Sequence, residues 1–154
     1  MAPRETPYSA FNFLVDLRDA GGADPASTFG GFSDVSGLST DITIAEYRNG
    51  NEKENHVRKV PGMHKVSDVT LKRGLVGSED LWTWIQDTRR NGVVAQRDVV
   101  ITLRDEAGQD QMRWLLRRVV PLKWTGPTLN GKGGGDVAME ELVLSAEGLE
   151  QEAL

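Results

Sequence analysis

The chain has 154 residues and no cysteine. That removes disulfides, thiol nucleophiles and thiolate metal sites. Histidine is almost as scarce: His56 and His64 are the two present, with Asp68 nearby. A zinc site needs more ligands at tighter spacing, so both histidines read as solvated or contact residues. No apolar run approaches the roughly 20 residues that span a bilayer. The opening segment, MAPRETPYSAF, lacks an apolar signal core. The expectation is a soluble protein made in the cytoplasm, without Sec export or direct membrane anchoring. Catalytic frames are missing too. Ser36-Gly37 has no nucleophile-elbow surroundings, and Gly131 to Gly135 lacks the Gly-Lys-Ser/Thr ending of a phosphate loop. Glu79-Asp80 is accounted for by the positive end of a helix, and Glu140-Glu141 point to opposite faces of a strand. The reading is a non-enzyme with no cofactor and no metal.

Glycine is what the chain has in quantity, 17 residues, beside a hydrophobic share of only 38%. That balance suits a turn-rich β-protein of one domain, residues 1–154. The first strand is placed at Tyr8 to Leu17, where Phe11, Phe13, Val15 and Leu17 alternate with polar residues. Residues 18–28 read as a turn-rich connection. Phe29, Phe32 and Val35, set among Gly30, Gly31 and Gly37, read as a strand with a bulge or sharp bend. Ile42 and Ile44 mark the next strand, and Val66 to Arg73 another. A helix over about 78–90 follows, with Ser78 as N-cap and Leu81, Trp82 and Ile85 on one face. Asn91-Gly92 ends it. Val99, Ile101 and Leu103, then Met112, Trp114 and Leu116, make a hairpin about Asp105 to Gly108. Pro121 to Pro127 reads as an irregular crossing and 130–136 as a flexible loop. Val137, Met139, Leu142 and Leu144 read as a last strand, with a register break near Glu140-Glu141. The acidic tail after about residue 149 is expected to fray. Six to eight strands and one helix make a mainly β fold, a sandwich or small barrel with the helix closing one side.

Residues 48–64 form the least periodic stretch, an extended polar arm. Long structureless loops in compact domains are usually functional or disordered. Charge sharpens the point. Residues 48–73 carry seven basic and three acidic groups, whereas 1–46 and 137–154 each have a net charge of −5. A basic middle between acidic ends suits contact between copies of one chain. Trp82 and Trp84 face different ways, so one fills the core and the other is left for partial exposure or a neighbour. Trp124, beside Pro121 and Pro127, reads as packing rather than a sugar platform. The assigned inter-subunit residues are Arg48, Asn49, Gly50, Asn51, Arg58, Lys59, Pro61, Gly62, His64, Lys65, Lys72, Arg73 and Trp84.

Several segments, in order along nearly the whole chain, resemble the tail-tube protein family of contractile injection systems. They are Phe11 to Leu17, Phe32 to Leu38, Glu46 to Asn51, and Val60-Pro61-Gly62-Met63-His64-Lys65 leading to Val69 to Gly74. Leu81 to Trp84, Pro121 to Pro127 and Glu140 to Leu149 complete the set. The likeness is nearest to the extracellular antifeeding-prophage and Photorhabdus-cassette type particles. The Gly-rich 130–136 loop and the longer acidic tail depart from the pattern. The resemblance implies a tail-tube β fold whose copies form six-membered rings, stacked into a hollow tube that a contracting sheath drives through a target envelope. It implies contacts with sheath subunits, a baseplate or tube initiator, and a tube terminator or cap. Protein effectors or phage DNA would be the lumen cargo. The particle would be assembled in the bacterial cytoplasm, as part of a phage tail or a releasable tail-like particle. The arm would reach a neighbouring subunit or ring. Two alternatives remain at this point: a tube-initiator or baseplate-proximal paralogue, and a monomeric β-sandwich ligand-binding module.

Overall fold

Alternating apolar residues build the centre of the protein. Val99, Ile101 and Leu116 point one way from a hairpin, and all three are buried. The computed structural model describes residues 4–19, 25–28, 31–75 and 80–154. Among these, ten strands occur in the order β1 (Phe13–Asp19), β2 (Pro25–Thr28), β3 (Asp34–Ser36), β4 (Thr40–Tyr47), β5 (Arg58–Val66), β6 (Val69–Gly74), β7 (Arg97–Arg104), β8 (Asp110–Thr125), β9 (Met139–Ser145) and β10 (Gly148–Ala153). One helix, α1 (Asp80–Asn91), and a 3-10 turn at Gly92–Ala95 lie between β6 and β7.

Eight strands form one antiparallel sheet in the order β2-β1-β7-β8-β9-β6-β3, with β10 also paired to β8. The sheet folds over itself at β8. The first part of β8 pairs with β7 and β10, and Val120 to Thr125 pair with β9. At the changeover, Arg117 and Arg118 stand opposite Asp98 as a β-bulge, and Arg118 has a φ of +50°. Bulges bend and twist a strand, which lets one strand serve both layers. Val15, Val99, Ile101, Leu116 and Val119 from one layer meet Val69, Leu71, Leu142 and Leu144 from the other.

The helix adds Leu81 and Trp84 to this core, and Ile85 is buried beside them, an i, i+3, i+4 stripe. The Trp84 Nε1 donates to the Ala95 carbonyl at 2.9 Å, tying the helix to the 3-10 turn. Arg89 and Arg90 in the last turn suit the negative end of the helix dipole. The expected cap Ser78 and its neighbour Glu79 lie outside the described residues, as do Phe29 and Gly30.

Several expected boundaries move. The first strand begins at Phe13, and Phe11 is exposed. Part of the 18–28 connection is β2, which pairs with β1. Val66 to Arg73 is not one strand: it divides between β5 and β6. Pro121 to Thr125 is strand, because a register shift between Pro121 and Lys123 accommodates the proline. No register break occurs at Glu140-Glu141, where β6 and β9 pair without interruption. Val137 lies before the strand and is exposed. The tail is not frayed, since β10 runs along β8 from Gly148↔Arg117 to Ala153↔Met112. Acidic side chains hold it there. Arg113 meets Glu152 at 3.1 Å, Arg117 meets Glu150 at 3.4 Å, and Trp114 Nε1 donates to Gln151 at 2.9 Å.

Candidate assembly interface

The arm is a β-hairpin. β4 and β5 pair with each other as a separate two-stranded sheet, and every residue from Thr40 to Lys65 within these strands is exposed. The expected polar loop 48–64 is therefore loop only as far as Val57. The second half was unreadable as strand because nothing buries either face, so no apolar period is selected. Pro61 and Gly62 also argue against strand, yet both fit here. Two residues, Gly62 and Met63, stand opposite Thr43 as a bulge, and a Cβ on Gly62 would lie 3.2 Å from the Thr43 carbonyl oxygen.

The root of the arm is pinned where its two strands leave the sandwich. Ser67 N donates to the Ser39 carbonyl at 3.1 Å, and Ser39 and Ser67 hydroxyls meet at 2.7 Å. Gly37 has a φ of +90°, and a Cβ there would sit 2.2 Å from the Asp68 carbonyl oxygen. Only glycine satisfies both conditions. Leu38 packs against the core just before the chain departs.

At the tip, Arg48 turns inward. Its Nη2 donates to the carbonyls of Glu52 at 2.9 Å and Glu54 at 3.0 Å, and its Nε to Glu54 at 3.2 Å. Glu52 N closes a turn on the Asn49 carbonyl at 3.2 Å. Arg58 Nε lies 3.0 Å from Glu52 Oε1. That oxygen nevertheless has no well-directed donor, so the contact is Coulombic rather than a hydrogen bond. Tyr47 donates to the Asn49 side chain, and His56 Nδ1 lies 3.0 Å from Glu54.

The thirteen assigned residues thus separate. Arg48, Asn49, Gly50 and Asn51 gather at the tip, and Arg58, Lys59, Pro61, Gly62, His64 and Lys65 lie along exposed β5. Lys72 is exposed on β6. Two assignments are corrected. Arg73 is 3% exposed and ion-paired with Glu140, itself 3% exposed, inside the same protomer. Trp124 Nε1 donates to the other Glu140 oxygen at 3.3 Å, and Phe32 lies against the Arg73 guanidinium. Alternation along β6 turns Leu71 and Arg73 inward and Lys72 outward, so the charge alone misled. Trp84 belongs to the core. Trp82 is the half-buried one, edge-on to Trp124 with ring centres 5.0 Å apart and Arg89 over its face.

The arm carries exposed apolar residues besides its charges. Ile42 (57% exposed), Ile44, Tyr47, Val60 and Met63 (83% exposed) all stand on the hairpin. The Ile42–Ile44 alternation was the available signal. A second exposed set, Leu129 and Val137, flanks a cleft beside the 126–138 loop, with Lys72, Glu140 and Glu141 in its wall. Among the described residues, no group of three or more metal-ligating side chains gathers, and no helix is long and apolar enough to cross a membrane.

Nothing among curated protein sequences matches. Of solved structures, the PVC sheath–tube complex of an extracellular contractile injection system, in its extended state, contains a chain 27% identical. The match covers 97% of this chain and 94% of that one, with a TM-score of 0.82. The PVC sheath/tube terminator, also extended, is similar at 28% identity, 97% and 99% coverage and a TM-score of 0.82. The anti-feeding prophage tube-terminating cap shares the fold at 23% identity, 100% and 96% coverage and a TM-score of 0.83. The profile of the T4-like virus tail tube protein gp19 family matches residues 9–150, and the chain belongs to that family.

Proposed function

We propose that this tail-tube protein is the repeating subunit of the inner tube of a contractile injection particle, forming six-membered rings that stack into a hollow conduit. The arm carries the proposal. A two-stranded hairpin is marginal by itself in water. This one also holds Ile42, Ile44, Tyr47, Val60 and Met63 in solvent. A patch of that kind marks a surface that is covered in the working state. A second copy of the chain is the cover. The contact is heterologous, arm on one copy and receiving surface on the next, and such contacts repeat into rings or open stacks. Among the described residues β2, β3 and β10 each pair with one strand, and pairing across copies would complete them.

In this reading residues 1–154 act as one tail-tube domain. Asn49, Gly50, Asn51, Lys59, Pro61, Gly62, His64, Lys65 and Lys72 face neighbouring copies. Sheath subunits surround the tube, a baseplate or initiator starts it, and a terminator or cap ends it. The two PVC relatives above 25% identity support the sheath and terminator contacts. Protein effectors or phage DNA pass through the lumen, and the subunit itself turns over no substrate. Assembly takes place in the bacterial cytoplasm, before any release of the particle. Negative-stain electron microscopy of the purified chain at low and high concentration tests this. Six-fold rings and stacked tubes are the expected result. Rings that never stack would make this an initiator, and monomers at every concentration would overturn the proposal.

A further inference from the structure

We infer that Arg48 is a positioning residue, which holds the arm tip in the one shape that a neighbouring copy receives. The inference rests on the tube reading and goes beyond it, because it assigns recognition to a preformed tip rather than to positive charge. The loop from Arg48 to Val57 has no strand partner. Even so, the Arg48 guanidinium ties the Asn49–Glu52 turn to the bend after it, donating to the Glu52 and Glu54 carbonyls through three contacts of 2.9 to 3.2 Å. The Asn49–Glu52 turn, the Arg58–Glu52 contact and the Tyr47–Asn49 bond close around the same centre. Lysine carries the same charge on a side chain one atom shorter and has no nitrogen in the place of Nε, so it gives up the Nε contact and the reach that sets Nη2 between the two carbonyls.

Three of the five guanidinium N–H donors are engaged inside the loop. What it supplies is order before docking. A tip that is competent one-tenth of the time docks about tenfold more weakly. Ordering the tip within the free protomer removes that loss, and every copy in a tube benefits once per arm.

The decisive variant is Arg48→Lys in the full chain, compared with wild type in three measurements: amide hydrogen exchange across 49–57 in the free protomer, critical concentration for assembly, and thermal melting. Faster exchange at the tip, a critical concentration raised about tenfold and unchanged melting are expected. Assembly of Arg48→Lys at the wild-type concentration overturns the inference. So does poor assembly with unchanged tip exchange, which would make Arg48 a direct contact. A wild-type chain that never assembles overturns the tube reading itself, and the role of Arg48 with it.

Discussion

Three positions show how single residues shape this protein. Asp98 is 2% exposed at the bulge that turns β8 from one layer to the other. Its carboxylate accepts the Arg118 backbone N–H at 3.0 Å and lies 3.3 Å from Arg117 Nη1. Asp98→Ala strands that N–H and is expected to cost about 1–3 kcal/mol in urea unfolding. Arg118 holds a φ of +50°, where an L-residue is strained by roughly 1–2 kcal/mol. Arg118→Gly is therefore expected to be neutral or stabilising by up to about 1 kcal/mol, whereas Arg118→Val destabilises. Equal losses for glycine and valine would locate the role of Arg118 in its side chain. Asp105 sits in the β7–β8 turn, where Gln109 N, then Ala107 N and the Gln111 side chain, donate to its carboxylate and hold its pKa below the ordinary aspartate range; partial desolvation opposes them. A group with a lowered folded-state value stabilises the fold fully above its unfolded value and loses that contribution as pH falls through the folded one. Melting should thus decline below the ordinary aspartate range, and Asp105→Asn should flatten part of the decline. An unchanged acid limb in that variant would remove Asp105 from the explanation.

Among elements, β10 carries the most consequence for its length. It covers the first part of β8 with Leu149 against the core and three acidic or amide side chains on Arg113, Trp114 and Arg117. Truncation after Glu147 should lower unfolding stability by at least about 1 kcal/mol, the scale of one partly buried leucine. It should also uncover a β-edge and promote non-specific aggregation. A truncated chain as stable and soluble as the full one would return β10 to the status of a loose tail. This strand was invisible in the sequence because Gly148-Leu149-Glu150-Gln151-Glu152 reads as charge, and only the arginines spaced along β8 make that charge a partner. The β7–β8 hairpin was legible for the opposite reason: its apolar residues alternate over a buried face, with a glycine turn between. The arm lay between these cases. Its polarity was plain, but strand pairing between two exposed faces leaves no burial pattern to find, and nothing in Lys72-Arg73 as a sequence says which of the two turns inward. Glu140, the partner that buries Arg73, is 67 residues away in the chain.

At the scale of the whole molecule, the basic middle of the chain divides by residue type. Arg48 and Arg58 are engaged within the arm tip, and Arg73 is buried with Glu140. Lys53, Lys59, Lys65 and Lys72 are exposed, and among the described residues they make no ion pair. If charge steers one copy towards the acidic stretches of the next, these lysines carry the steering. Reversing arginines as well would confuse lost attraction with a damaged tip or core. Lys59→Glu, Lys65→Glu and Lys72→Glu together leave the arginine contacts in place. Steering acts on encounter and is screened over about 10 Å at 0.1 M salt. The triple variant is expected to elongate at least about tenfold more slowly than wild type at low ionic strength. The gap should narrow as salt is raised, because screening removes the attraction from one chain and the repulsion from the other. Light scattering during elongation across a salt series measures this, with tip exchange as the control for an intact arm. Equal elongation rates at low salt would sink the electrostatic account. They would leave apolar cover of Ile42, Ile44, Val60 and Met63, on a tip shaped by Arg48, as the force that joins the copies.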